Sequence, residues 1–228
     1  GEGYAGGGHV ACTNSSQNEV VFGGEKKLAT LIEATQKVID GDLYVVLAGC
    51  TAGIVGDDVQ QVARDHSLPD HPVVGVDTAG FRGNNYKGHE IVVNGIIEQF
   101  VGKTEPKVRK GLVNVFSVVP NQNAFWRGDL EEIKRLLEGI GLEVNILFGY
   151  ESAGVPEWKD IPNAELNIVL SPWVGLSSAK LCQKYYGTPY LHCPVLPTGL
   201  KDTSKFLRKV AETLDLDKEK VEDRKSVV

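Results

Sequence analysis

Methionine is absent from all 228 residues, so Gly1 does not read as a natural start and the sequence reads as an excised piece. Long apolar runs are missing too, since none approaches the ~20 residues a membrane helix requires. The opening Gly1-Glu2-Gly3-Tyr4 has neither the charge nor the apolar stretch of a signal peptide. A soluble, cytoplasmic protein with no membrane association is the expectation. Basic blocks are scarce: at a net charge of -6, the short Lys107-Val108-Arg109-Lys110 run reads as a linker and cannot track a phosphate backbone. Nucleic acid is therefore not an expected partner. The four cysteines, at positions 12, 50, 182 and 193, show no CxxC spacing, which excludes a locally encoded zinc ribbon or dithiol motif. Any metal site must be assembled across space. No GxGxxG follows a strand, no GxxxxGK[ST] loop is present, and no GxSxG elbow appears. Nicotinamide binding, ATP hydrolysis by this chain and Ser/His/Asp hydrolysis thus lack their usual sequence supports.

What is present is enough apolar composition, 42%, to bury real cores, arranged in alternating periods. Residues 1–18 are polar and without period, and read as an extended or loop segment. From Gly24, apolar residues at helical spacing predict a helix that stops at Asp40-Gly41. A strand over 43–48, a helix through Val55, Val59, Val62 and Ala63, and a strand at 72–76 follow. The glycine-rich crossing from Gly80 to Gly88 then leads into a helix carrying Ile91 to Phe100. Beyond the polar stretch 102–111, strands are predicted at 113–119, 144–148, 166–170 and 190–195. Helices are predicted near 129–139, 177–186 and 202–214, the first with a Glu131 to Arg135 pair on its wet face. Such β/α alternation implies an α/β fold of two doubly wound, Rossmann-like parallel-sheet lobes, divided as 1–104 and 105–228.

In parallel sheets ligands bind beyond the carboxyl ends of strands, and Cys50 occupies that position after the apolar strand. Gly49, Gly53 and Gly56 remove side chains where a ligand needs close backbone approach, and a following helix directs its positive end at the sulfur. That environment suits a thiolate or a metal ligand. The same residues also fit a buried cysteine acting as a small hydrophobe, with the glycines serving only the turn. Asp57-Asp58 read as helix-start residues. His89, at a helix start, can face the same cleft and handle a proton, or simply lie on the surface. Arg82 between Gly80 and Gly83 can hold an anion or a sulfide, or be a solvated loop arginine. Cys182 reads as core, Cys193 as a weaker ligand candidate, and Ser171-Pro172-Trp173 as a pocket edge or a turn.

Three segments carry a resemblance: Val21 to Leu28, Cys50 to Asp58 with its CxxGIxGDD pattern, and Thr78 to Gly83. Together they are similar to the nitrogenase component 1 family, and the second lobe resembles that family's next domain in order and spacing. The resemblance implies that Cys50 is one ligand of an iron–sulfur cluster shared with a homologous partner subunit, with electrons supplied by an ATP-dependent iron-protein reductase. Gly53, Gly56, Gly80, Gly83 and Ser171 would then line the cofactor, and His89 and Arg82 would be catalytic. Ser171 stands where members that bind the large nitrogenase cofactor carry a cysteine, and Ala79 stands where the β-type subunit has a serine. Further ligand cysteines would lie upstream of Gly1, and a third lobe would follow the charged residues from Asp217. The isolated chain is expected to be inactive and metal-free. A scaffold or carrier for metallocofactor assembly, as in the family's maturation branch, is the alternative reading.

Overall fold

The computed structural model describes residues 10–216. The sequence expectations for residues 1–9 and for the charged stretch from Asp217 lie outside those residues. Between Gly102 and Lys103 the chain divides into two compact units, each an α/β structure.

The first unit opens with α1 (Gln17–Phe22), where an extended segment is expected from composition. The Glu19 carboxylate accepts the Ser16 N–H at its start, and that bond holds the glutamate's pKa down at about 2. Helix α2 (Glu25–Val38) buries Leu28 and Ile32. Strands β1 (Tyr44–Leu47) and β2 (Val73–Val76) pair in parallel, Tyr44 opposite Val73 and Leu47 opposite Val76. Their core joins Leu28, Ile32 and Ala48 to Val59, Val62, Ala63 and Val73. The single helix expected through residues 55–63 is instead two, α3 (Cys50–Val55) and α4 (Val59–Asp65). Gly56 causes the break, because its φ of 89° is left-handed and closes α3 before Asp58 restarts the chain as the cap of α4. Strand β2 is buried throughout, and Gly75 within it is required: a Cβ there would lie 2.6 Å from the Val59 carbonyl. Helix α5 (Asn85–Gly95) continues as a π-helical turn over Ile96–Val101.

The second unit is a four-stranded, wholly parallel sheet in the order β4-β3-β5-β6, from β3 (Arg109–Phe116), β4 (Glu143–Asn145), β5 (Ala164–Val169) and β6 (Tyr190–His192). Helices α6 (Trp126–Gly139) and α8 (Leu176–Tyr186) connect its strands, and α9 (Gly199–Thr213), after the last strand, adds to its core. Val113, Val115, Leu166 and Ile168 pack with Leu130, Leu137, Phe206 and Val210 in one continuous core. The expected linker at 107–110 is partly strand. Arg109 is held in β3 by ion pairs of 2.6 Å to Asp160 and 2.8 Å to Glu143, which a reading of local charge cannot show. The expected Glu131–Arg135 pair is replaced by Arg135 with Glu132, 2.6 Å apart at a spacing of three.

Helix α7 (Val155–Asp160) is an element the periodicity does not reveal. Its Glu157 is buried, accepting the Leu147 and Ala153 N–H groups and the Ser152 hydroxyl at 2.7, 3.0 and 3.0 Å. On the sheet itself, three buried asparagines stand in register across β4, β3 and β5. Asn145 donates to Asn114 (2.9 Å), and Asn114 donates to both Asn167 (2.8 Å) and the Ile161 carbonyl (2.9 Å).

Candidate functional site

Strand β1 hands the chain to α3 through Ala48 and Gly49, which places Cys50 at the first position of the helix. The residue is exposed. After β2, the chain passes close to the same point. The Thr78 hydroxyl donates to the Ala48 carbonyl (3.1 Å), and the Gly80 N–H donates to the Cys50 sulfur (3.1 Å). A Cβ on Gly80 would press on that sulfur at 3.1 Å, and one on Gly53 would lie 3.1 Å from both Ala79 and the Phe81 ring. Two strand ends, two glycine turns and one sulfur therefore meet at one place in the first unit.

The structure brings Cys50, Gly53 and Gly80 together and gives the other glycines different work. Gly56 has open space around its Cβ position and serves the left-handed turn. Gly83 (φ 158°) lets the chain pass Lys87, whose Cβ would lie 2.7 Å from an added methyl group. Arg82 donates from Nε to the Asp77 carboxylate at 2.8 Å, so its charge is matched within the loop. His89 lies one turn inside α5, half-buried. Burial pushes its pKa down to about 4 against a smaller upward pull from Glu90, so the imidazole is neutral at ordinary pH.

Ser171 belongs to the second unit, at the end of β5, and is buried. Its hydroxyl accepts the Trp173 and Val174 N–H groups at 3.2 and 3.3 Å, and its carbonyl lies 3.0 Å from Nε2 of His192. These bonds fold the turn. Cys182 is wholly buried in α8, and burial pushes its thiol up to about 12.

Sequence reasoning missed the exposed apolar side chains on and next to α3. Phe22 on α1 is 84% exposed and Ile54 on α3 is 76% exposed; the two helices pack together, and the Phe81 turn adjoins Gly53. Asp57, Glu25 and Asp77 also hold the loops in place. Only their membership of the Val21–Leu28 and Cys50–Asp58 segments, or their place beside Thr78, signalled them. Among the described residues no group of three or more His, Cys, Asp or Glu side chains is arranged to hold a metal ion. Nor is any described helix long and apolar enough to cross a membrane.

The family described as nitrogenase component 1 type oxidoreductase matches residues 4–227, and the chain belongs to it. It is 31% identical over 214 residues to the nitrogenase molybdenum-iron protein alpha chain of Methanosarcina barkeri, covering 91% of this chain and 38% of that one. A light-independent protochlorophyllide reductase polypeptide of Angiopteris evecta is 32% identical over 211 residues, with 87% and 40% covered. The nitrogenase iron-molybdenum cofactor biosynthesis protein NifE of Methanococcus maripaludis is 29% identical over 206 residues, with 88% and 40% covered. Among solved structures, nitrogenase Cp1 at pH 6.5 superposes with a TM-score of 0.75 at 26% identity, covering 94% of this chain and 40% of that one. The chain thus spans roughly two fifths of the relatives it matches: 38% of the first and 40% of the second.

Proposed function

We propose that this chain is part of a nitrogenase-like component 1 oxidoreductase subunit in which Cys50 anchors one corner of an iron–sulfur cluster shared with a homologous partner subunit. When bound, such a cluster relays electrons from an ATP-driven iron-protein reductase toward a reducible substrate. The carrying observation is the exposed Cys50 sulfur at a strand end, already accepting the Gly80 N–H. An N–H directed at sulfur stabilises negative charge there, the kind of contact that tunes a cluster's potential. Gly49 has open space where a Cβ would be, and Gly53 and Gly80 bring the two turns close, so the residues present fit a bulky group at the sulfur.

The exposed apolar side chains of Phe22 on α1, Ile54 on α3 and Phe81 in the turn against Gly53 support a protein surface rather than solvent as the neighbour in the assembled complex. In this reading His89 passes protons as a neutral imidazole, and Arg82 keeps the 80–83 turn closed through Asp77. Cys50→Ala introduced into the complete complex tests it. The expected outcome is loss of cluster iron and of its visible absorption, with turnover reduced at least about tenfold. Full iron content in that variant contradicts the proposal.

Ser171 favours a second reading, a scaffold on which a metallocofactor is built. Its hydroxyl is committed to the Trp173 and Val174 N–H groups, and the similarity to NifE points the same way. Cofactor transfer from the intact complex without substrate turnover supports the scaffold, whereas turnover with reductant supports the enzyme.

A further inference from the structure

Helix α3 presents a physical problem. It has six residues and none of them is buried, whereas helices this short are not stable by themselves. Ala52 rests on the first unit's core and Gly53 lies against Ala79 and the Phe81 ring, so what remains to fix the helix's orientation, and with it the direction of the Cys50 side chain, is supplied by bonds at its two ends. At the start the bond is the Gly80 N–H to the sulfur. At the far end the chain turns through Gly56 into Asp57, whose two carboxylate oxygens accept the Gly24 N–H at 2.9 and 3.1 Å. The next residue returns the exchange, since the Asp58 N–H donates to the Glu25 carboxylate at 2.8 Å.

Gly24 is the residue preceding α2, a helix of 14 residues anchored in the core by Leu28 and Ile32. Its N–H is one of the donors a helix start leaves without an internal partner, and a negative charge there also suits the helix dipole. Both glycines are needed for the approach. A Cβ on Gly23 would lie 3.2 Å from one Asp57 oxygen, and one on Gly24 would lie 2.9 Å from the other.

We infer that Asp57 is a positioning residue for Cys50. Through the Gly24 N–H it fastens the far end of α3 to the start of α2, which Leu28 and Ile32 anchor in the core, and so holds the sulfur against the Gly80 N–H. Its functional weight rests on the cluster role assigned to Cys50 above, but its geometry is testable without any cluster.

Amide hydrogen exchange of Gly24 and Gly80, measured by NMR on the 228-residue chain, reads the two ends separately. In Asp57→Ala both amides should exchange at least about tenfold faster while those of β3 are unchanged. Asp57→Asn keeps one acceptor oxygen and should return Gly80 to within about threefold of the parent. Where Asp57→Ala does not fold, Gly24→Ala replaces it. That backbone (φ -103°) accepts alanine, and the added methyl group pushes the carboxylate away, so Gly80 should again accelerate. An unchanged Gly80 alongside a faster Gly24 overturns the inference, because Asp57 is then only a clip on the turn. No change at either amide overturns it as well. Loss of cluster in Cys50→Ala with an insensitive Gly80 would leave the functional reading standing and remove only this one.

Discussion

A single sulfur and a single imidazole are the two side chains to which the proposal above gives chemistry, and their surroundings differ. Cys50 is exposed with a backbone N–H on its sulfur, whereas His89 is half-buried with its pKa lowered to about 4. The histidine has a consequence for stability. Its folded pKa lies below the ordinary value of 6.5, so the unfolded chain binds a proton that the folded chain does not between those limits. Its contribution is complete above pH 6.5 and is lost as the pH falls toward 4. One such group gives a slope of at most about 1.4 kcal/mol per pH unit. Urea unfolding from pH 7 to 4 should therefore be less steeply pH-dependent in His89→Gln than in the parent. An identical slope in both would show that His89 titrates normally in the fold. Cys50 was legible because a strand, a glycine turn and a sulfur are contiguous in sequence. The bond to Gly80, thirty residues away, was not, nor was the Asp77 partner that occupies Arg82.

Elements were legible where their burial is periodic and illegible where bonds between distant residues decide. Helices α2, α6 and α9 each show an apolar stripe, and reading it located them to within a few residues. Helix α7 has almost no period to read. It exists because Gly154 starts it and the buried Glu157 collects three donors from the preceding loop. The break between α3 and α4 depends on a left-handed glycine, which looks the same in sequence as any other glycine of that stretch. The row Asn145, Asn114, Asn167 gives no local sign either, since each residue alone reads as a polar interruption of a strand. In the fold the Ile161 carbonyl fixes the Asn114 amide's orientation, and the row runs one way across three strands. A one-residue slip of any strand would move its asparagine to the opposite face, so the row specifies register. Asn114→Leu removes the partners of Asn145, Asn167 and the Ile161 carbonyl together. At about 1–3 kcal/mol per stranded buried group, it should cost at least about 3 kcal/mol in urea denaturation. A cost below about 1 kcal/mol would mean the row relaxes without penalty.

Across the molecule, the two units differ in how completely they bury their sheets. In the second, β3 and β5 lie between covered faces, with Leu112, Val113 and Ile168 wholly inaccessible. In the first, β2 is buried along its length while β1 is only half-buried and ends in the exposed Leu47. Opening free energies follow burial, so amide exchange should be slowest in β3 and β5 and faster in β1. Equal protection in β1 and β5 would show that the units open together. Family and α/β architecture were readable from motif and rhythm. The difference in burial between the units was not, because it depends on what covers each strand.

Strand β1 is hydrogen-bonded to β2 alone among the described residues, so its outer backbone edge meets no other described strand. Ribbons of this kind are templates for unwanted pairing, and a concentrated preparation of this polypeptide will be prone to adding copies edge to edge. Light scattering over a dilution series checks this: a hydrodynamic radius that grows with concentration is the expected outcome, and a constant radius would show that this margin does not recruit further copies.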